Sequence, residues 1–234
     1  MSLGVLWSVL NPMIMLGTLL VVFTYIHKNT SIDHFGVFLL LGLIPYNFFS
    51  LCINTATASL VQNSQIIKKT RFPRIIIPVA SVLSQVIHLG IQLLILVVFI
   101  ALFGVSVTWM YLWLPLIFLL ELIFIIGLSL VCSVLDVYFR DTKYIVQSSL
   151  TVLFWFTPIF YPTSLANQNL PRPLYLLFMS NPITGCIEAA RRVVLHNRAP
   201  EQDLFLMAMS VTLVTLAVGI VLFRKLEPNL ADHL

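Results

Sequence analysis

Residues 75–120 read IIIPVASVLSQVIHLGIQLLILVVFIALFGVSVTWMYLWLPLIFLL and contain no Asp, Glu, Lys or Arg. A membrane-crossing helix needs about 20 consecutive apolar residues, so this run is long enough for two. Gly104 and Ser106 punctuate it where a tight turn would reverse the chain. The same absence of charge recurs over 1–27, 34–67, 144–171 and 204–223. Across the chain 59% of residues are hydrophobic and 9% charged, where a soluble domain carries about 25% charged residues. In lipid the backbone must satisfy its own hydrogen bonds, so runs of this length are helices, not barrel strands. The expected fold is an all-α integral membrane protein, one transmembrane domain over 1–234. Its six transmembrane helices are placed at about 4–26, 35–61, 76–103, 109–135, 144–162 and 203–223.

Lys and Arg set the orientation. One set of loops holds Lys68, Lys69, Arg71, Arg74, Arg140, Lys143, Arg224 and Lys225; the other holds Lys28, Arg172, Arg191, Arg192 and Arg198. The short loops decide, which makes 62–75 cytoplasmic and, with an even number of spans, both termini cytoplasmic. The first run lacks a basic leader and is too long for the apolar part of a cleavable signal. Between spans 5 and 6, residues 174–187 carry no charge and are broken by Asn181-Pro182. Too short to span, they have the length of a short re-entrant or interfacial helix within a periplasmic segment at 163–202; the other reading is an amphipathic helix lying flat at the surface. Cys52, Cys132 and Cys186 are odd in number and widely spaced, so they read as small apolar residues, neither disulfides nor metal ligands.

The sequence lacks a G-x-x-x-x-G-K-[ST] phosphate loop, an H-E-x-x-H zinc motif and a G-x-S-x-G nucleophile elbow. Enzymatic activity therefore has little support, and the net charge of +4 reads as topology information, not as a nucleic-acid surface. Four polar features remain. In IIKKTRFPR, 66–74, the cations Lys68, Lys69, Arg71 and Arg74 suit retention on the inner side and attraction to anionic membrane lipid. Phe72 and Pro73 among them suggest a rigid knob for a partner's groove. In DVYFRD, 136–141, the stretch with Arg140 and Asp141 reads either as an interfacial anchor with a local ion pair or as a second partner contact. In span 3, Ser81, Gln85, His88 and Gln92 fall on one helix face, at the depth of Glu121 in span 4. A charge at the bilayer centre costs about 2.5–3.5 kcal/mol on insertion scales, so Glu121 is expected to pair with His88 or Gln85 across neighbouring helices. Finally, Phe154, Trp155, Phe156, Phe160 and Tyr161 run inward from an interface, where aromatic faces suit either packing or sugar C–H faces.

Several segments together resemble a known family. They are LGVLWSVLNPM at 3–13, LLGLIPYNFFS at 40–50, NSQIIKKTRFPR at 63–74, GLSLVCSVLDVYFRD at 127–141, WFTPIFYP at 155–162 and NPITGCIEAARRVVL at 181–195. In this order they are similar to the membrane subunit of bacterial type-2 ABC exporters, in the branch moving O-antigen, capsular polysaccharide or teichoic acid. The resemblance implies a permease subunit in the bacterial inner membrane. It would work as a homodimer with two copies of a separate ATPase subunit, which would carry ATP and Mg; this chain would hold no cofactor. It implies ATPase docking through 62–75, a translocation path formed largely by spans 1 and 5, and an exit at 163–195. On this chain that path includes Trp7, Tyr25, Trp155, Phe156, Phe160 and Tyr161. The implied substrate is a glycan, commonly linked to a lipid carrier. Members of the branch carry some tens of residues, including an amphipathic interface helix, before the LWSVLNP motif; here Met1 and Ser2 precede the matching stretch.

Two other readings stay open. A type-2 exporter of a drug or another lipid would share the topology. An ion-coupled carrier or channel would use Glu121 and His88 and would need no ATPase.

Overall fold

The structure is a computed structural model that describes residues 4–22, 34–70 and 72–230, and only the backbone of 4–9, 11, 12, 167 and 169. Among the described residues there are helices and no strands. Four helical segments are long and apolar enough to cross a membrane: Phe35–Thr57, Ile76–Leu102, Trp109–Tyr138 and Gln202–Asn229. Helix α1, Gly4–Val21, precedes them.

Helix α2, Phe35–Thr57, is the axis of the bundle. It packs against α1 and six of the helices that follow. Its first half, Phe35–Tyr46, is apolar on every side, as a helix enclosed by others must be. After a break at Ala58 come two short helices, α3 (Ser59–Gln62) and α4 (Ser64–Lys69), which carry the chain to the basic loop. The next membrane-length segment is α5 (Ile76–Ser84) followed directly by α6 (Val86–Leu102). At their junction the Gln85 N–H donates to the Val82 carbonyl at 3.0 Å, a tighter bond three residues back.

Helix α7, Trp113–Tyr138, runs three residues past the expected end of span 4 and takes Asp136 into the helix. It lies along α12, Gln202–Leu226. The two meet at glycines: a Cβ on Gly127 would come within 2.7 Å of the Leu216 backbone, and one on Gly219 would strike the Gly127 carbonyl. Small residues at such a crossing let backbones approach and gain dispersion contacts where lipid offers no hydrophobic drive.

Span 5 differs from its expected bounds of 144–162. Helix α8 is Thr142–Phe156, about 22 Å long against a hydrocarbon core of ~30 Å. It stops because Pro158 pushes Thr157 out of helical geometry, to ψ 139°. The segment 163–202 holds α9 (Thr163–Asn169), α10 (Arg172–Met179) and α11 (Pro182–Leu195). Asn181 caps α11 by accepting from the Ile183 N–H at 3.0 Å, with Pro182 in the first turn. The uncharged stretch 174–187 is divided between α10, largely exposed, and the start of α11. Helix α11 is mostly buried and packs against α2, α7 and α12. Its Arg191 is 2% exposed, donating to the carbonyls of Ile159 at 2.7 Å and Phe38 at 3.3 Å. The guanidinium stacks 3.5 Å from the Phe38 ring centroid.

Candidate functional site

The two motifs singled out around 66–74 and 136–141 come together at one end of the bundle, joined by the end of α12. An apolar cluster of Leu60, Ile67, Val134, Val137, Phe223 and Leu230 underlies them. Above it a cleft of about 610 Å³ is lined by Lys68, Lys69, Phe72, Arg74, Arg224 and Glu227, among others. Lys68, Lys69 and Pro73 are exposed. Arg71 lies outside the described residues.

Two residues of the basic loop are also engaged within the chain. Phe72 is half-buried against the apolar cluster, so it forms a wall of the cleft and does not project as a knob. Arg74 is held within the chain: its backbone N–H donates to Glu227 Oε1 at 3.0 Å, and its guanidinium donates to the Glu227 carbonyl. Among the described residues, the other cations lining the cleft are Lys68, Lys69 and Arg224.

In DVYFRD the acid that matters structurally is Asp136. Its Oδ1 accepts from the Lys143 backbone N–H at 3.1 Å, tying the end of α7 to the first turn of α8, where an acceptor satisfies an otherwise orphaned helical N–H. The Tyr138 hydroxyl donates to the Leu226 carbonyl at 3.0 Å. Phe139, Arg140 and Asp141 face outward. Helix α7 thus carries two buried acids, Glu121 and Asp136, the latter 4% exposed.

The expected bond between Glu121 and His88 or Gln85 is not formed. Glu121 is fully buried, and neither carboxylate oxygen takes part in a hydrogen bond. In the bundle α2 lies against both α6, which bears His88, and α7, which bears Glu121, while the contact of the third segment with α7 is made by α5. Span 3 spends its hydroxyls on its own backbone, Ser81 on Ile77 at 2.9 Å and Ser84 on Ser81 at 2.8 Å.

A second feature escaped the sequence reading. The positions of α2 that stay accessible beyond Phe35 are Asn47, Ser50, Leu51, Asn54 and Thr55. Asn47, Ser50 and Asn54, spaced three and four apart, share a helix face. They line a groove of about 340 Å³ with Gln147 and Thr151 of α8, floored by Met15, Tyr46 and Phe154. The Tyr46 hydroxyl donates to the Leu150 carbonyl and closes one side. The available signal was that spacing of small polar residues inside an otherwise apolar helix.

From the groove a line of rings leads on. Tyr46 and Phe154 lie 5.3 Å apart centre to centre, Phe154 and Trp155 5.5 Å, Trp155 and Phe160 5.5 Å, Phe160 and Tyr161 5.3 Å, and Tyr161 and Phe178 6.4 Å. Trp155 and Phe156 are about 60% exposed, at 62% and 60%. Of the six residues expected along a path, Trp155, Phe160 and Tyr161 belong to this line. Tyr25 and the side chain of Trp7 lie outside the described residues.

Comparison with known proteins now adds a family. Residues 1–195 match the model of the family described as ABC-2 type transporter. The chain is 30% identical over 99% of its length to an O-antigen export system permease protein of Klebsiella pneumoniae, covering 88% of that protein. It is 25% identical over 99% of its length to a protein of the same name from Myxococcus xanthus, covering 88% of that protein. To a polysialic acid transport protein of Escherichia coli it is 29% identical over 96% of its length, covering 86% of that protein. An all-helical bundle with four membrane-length segments and a matched stretch running from α1 to the end of α11 leads to one conclusion: the chain belongs to the ABC-2 type transporter membrane family.

Proposed function

We propose that this chain is the permease subunit of an ATP-driven ABC exporter that moves a polysaccharide, linked to a lipid carrier, across the bacterial inner membrane. The observation that carries this reading is the polar groove between α2 and α8, continued by the line of aromatic rings. A glycan cannot cross lipid bare, because each unpaired hydroxyl costs roughly 2–7 kcal/mol to bury. Asn, Ser, Gln and Thr side chains offer its hydroxyls partners, and ring faces cover its C–H faces. Polar side chains left accessible on a membrane helix face water or protein, not lipid. The α1–α8 side, with exposed Ile145, Val152, Trp155 and Phe156, is where a second copy would complete the path. Relatives named as O-antigen export and polysialic acid transport proteins support the substrate class.

In this reading α1, α2, α5–α6, α7, α8 and α12 cross the membrane six times, with both termini cytoplasmic and two copies of a separate ATPase below. The gathering of Lys68, Lys69, Arg74, Arg224 and Lys225 at one end supports that orientation. Driving the cycle requires the ATPase to bind the states of the permease with different affinity. Cells lacking the chromosomal copy, complemented with Trp155→Ala or with Gln147→Leu plus Thr151→Val, test the path. Surface glycan should fall by about tenfold at unchanged membrane abundance, as loss of ~1.4 kcal/mol of path stabilisation gives. Normal surface glycan in both variants, or export by the chain without any ATPase, removes the reading.

A further inference from the structure

The last turn of α12 and the residue after it bond to both motifs at the basic end. The Leu226 carbonyl receives the Tyr138 hydroxyl, from the end of α7. Glu227 receives the Arg74 backbone N–H through its carboxylate and the Arg74 guanidinium through its carbonyl, from the loop entering α5. Leu230, fully buried, anchors the segment from below in the cluster containing Leu60, Ile67 and Val137. A 153-residue separation in sequence is closed here by one carboxylate.

We propose that Glu227 is a positioning residue for energy coupling: it clasps the basic loop to the end of α12, so that loop, α12 and α7 move as one body when an ATPase engages the loop. The inference rests on the permease reading above. Three features make the clasp a transmission and not a local staple. The glycines Gly127 and Gly219 bring α7 and α12 too close to slide without separating, and close-packed interfaces shift between discrete arrangements. Asp136 at the end of α7 holds the Lys143 N–H of α8 at 3.1 Å. Helix α8 in turn supplies Gln147 and Thr151 to the polar groove. Displacement of the loop therefore reaches the groove through Glu227, α12, α7 and Asp136 in order. Without the clasp, the loop can yield to the ATPase while the bundle stays where it is.

The test uses the full chain with its ATPase partner in inner-membrane vesicles, scoring membrane abundance, ATP hydrolysis and glycan export. Glu227→Ala should keep abundance and hydrolysis while glycan exported per ATP falls about fivefold or more, the lower end of usual coupling energies. Glu227→Gln keeps an oxygen acceptor for the Arg74 N–H and should restore most of the ratio. An unchanged ratio in Glu227→Ala, or equal loss in Glu227→Gln, overturns the clasp. If Glu227→Ala does not accumulate, cross-linking decides. Thr70→Cys and Pro228→Cys, both exposed on the cleft, are joined by a short bis-maleimide; the native cysteines are buried and do not compete. Loop and tail moving together predicts export preserved after cross-linking, and export lost on cross-linking overturns the proposal. A wild-type chain that exports no glycan with its ATPase refutes the parent reading, whatever the variants do.

Discussion

Glu121 shows how a single residue can be found from sequence and still be misjudged. Its rarity as an acid within an apolar run is plain in the chain, and its burial follows. Its partner does not, because depth along two helices says nothing about whether they face each other. With both oxygens outside any hydrogen bond, replacing it removes no bonded partner, and apolar residues of similar size often substitute for such groups at no cost. Glu121→Gln and Glu121→Leu are both expected to keep membrane abundance and export within about twofold of wild type, a difference of under ~0.5 kcal/mol. Quantitative immunoblotting and surface-glycan assay check this; collapse of Glu121→Leu alone would reveal a partner for the carboxyl. Arg191 is the opposite case. In sequence it reads as one more loop cation, yet it is buried, and it spans α11, the start of α2 and the turn after α8. Gly42 is what admits it: a Cβ there would lie 3.0 Å from Nη2 and 2.8 Å from the Ile159 carbonyl.

Among the elements, the pairing of α7 with α12 carries the clearest energetic claim. The Cβ of Gly219→Ala would overlap the Gly127 carbonyl, and overpacking a tight contact costs about 1–3 kcal/mol or more. This variant should lower the apparent melting temperature in detergent and reduce membrane accumulation. Gly90→Ala, at a site with nothing within 4 Å, should behave as wild type or slightly better, since alanine favours helix by up to ~1 kcal/mol. Thermal scans of the purified variants measure both. Helix existence was legible from uncharged runs of bilayer length. Helix ends were less so: α8 stops six residues early at Pro158, and α7 continues to Tyr138. Proline inside a membrane helix can either be absorbed, as Pro45 is in α2, or end it, and neighbours decide which.

On the scale of the whole molecule, the basic end divides into residues that hold the fold and residues free to meet a partner. Phe72 and Arg74 are committed inward, so alanine there is expected to disturb the loop itself. Lys68 and Lys69 are exposed on the cleft. Lys68→Glu with Lys69→Glu should leave abundance within about twofold and cut export at least tenfold, since like charges set against a partner cost several kcal/mol. Vesicle ATPase and export assays, repeated at raised salt, check it; full export would place the ATPase contact elsewhere. The sequence alone determined that this chain lives in a membrane as helices and where along it the cations cluster. Those properties follow from length, charge and hydropathy, which are local and additive along the chain. Only the tertiary structure decided that α2 stands against both α6 and α7, that Asn47, Ser50 and Asn54 open onto Gln147 and Thr151, and that Glu227 reaches back to Arg74. Each of these depends on which helix faces which, and in lipid that choice rests on close fit and buried hydrogen bonds between residues far apart in sequence, not on the apolar pattern that all the helices share.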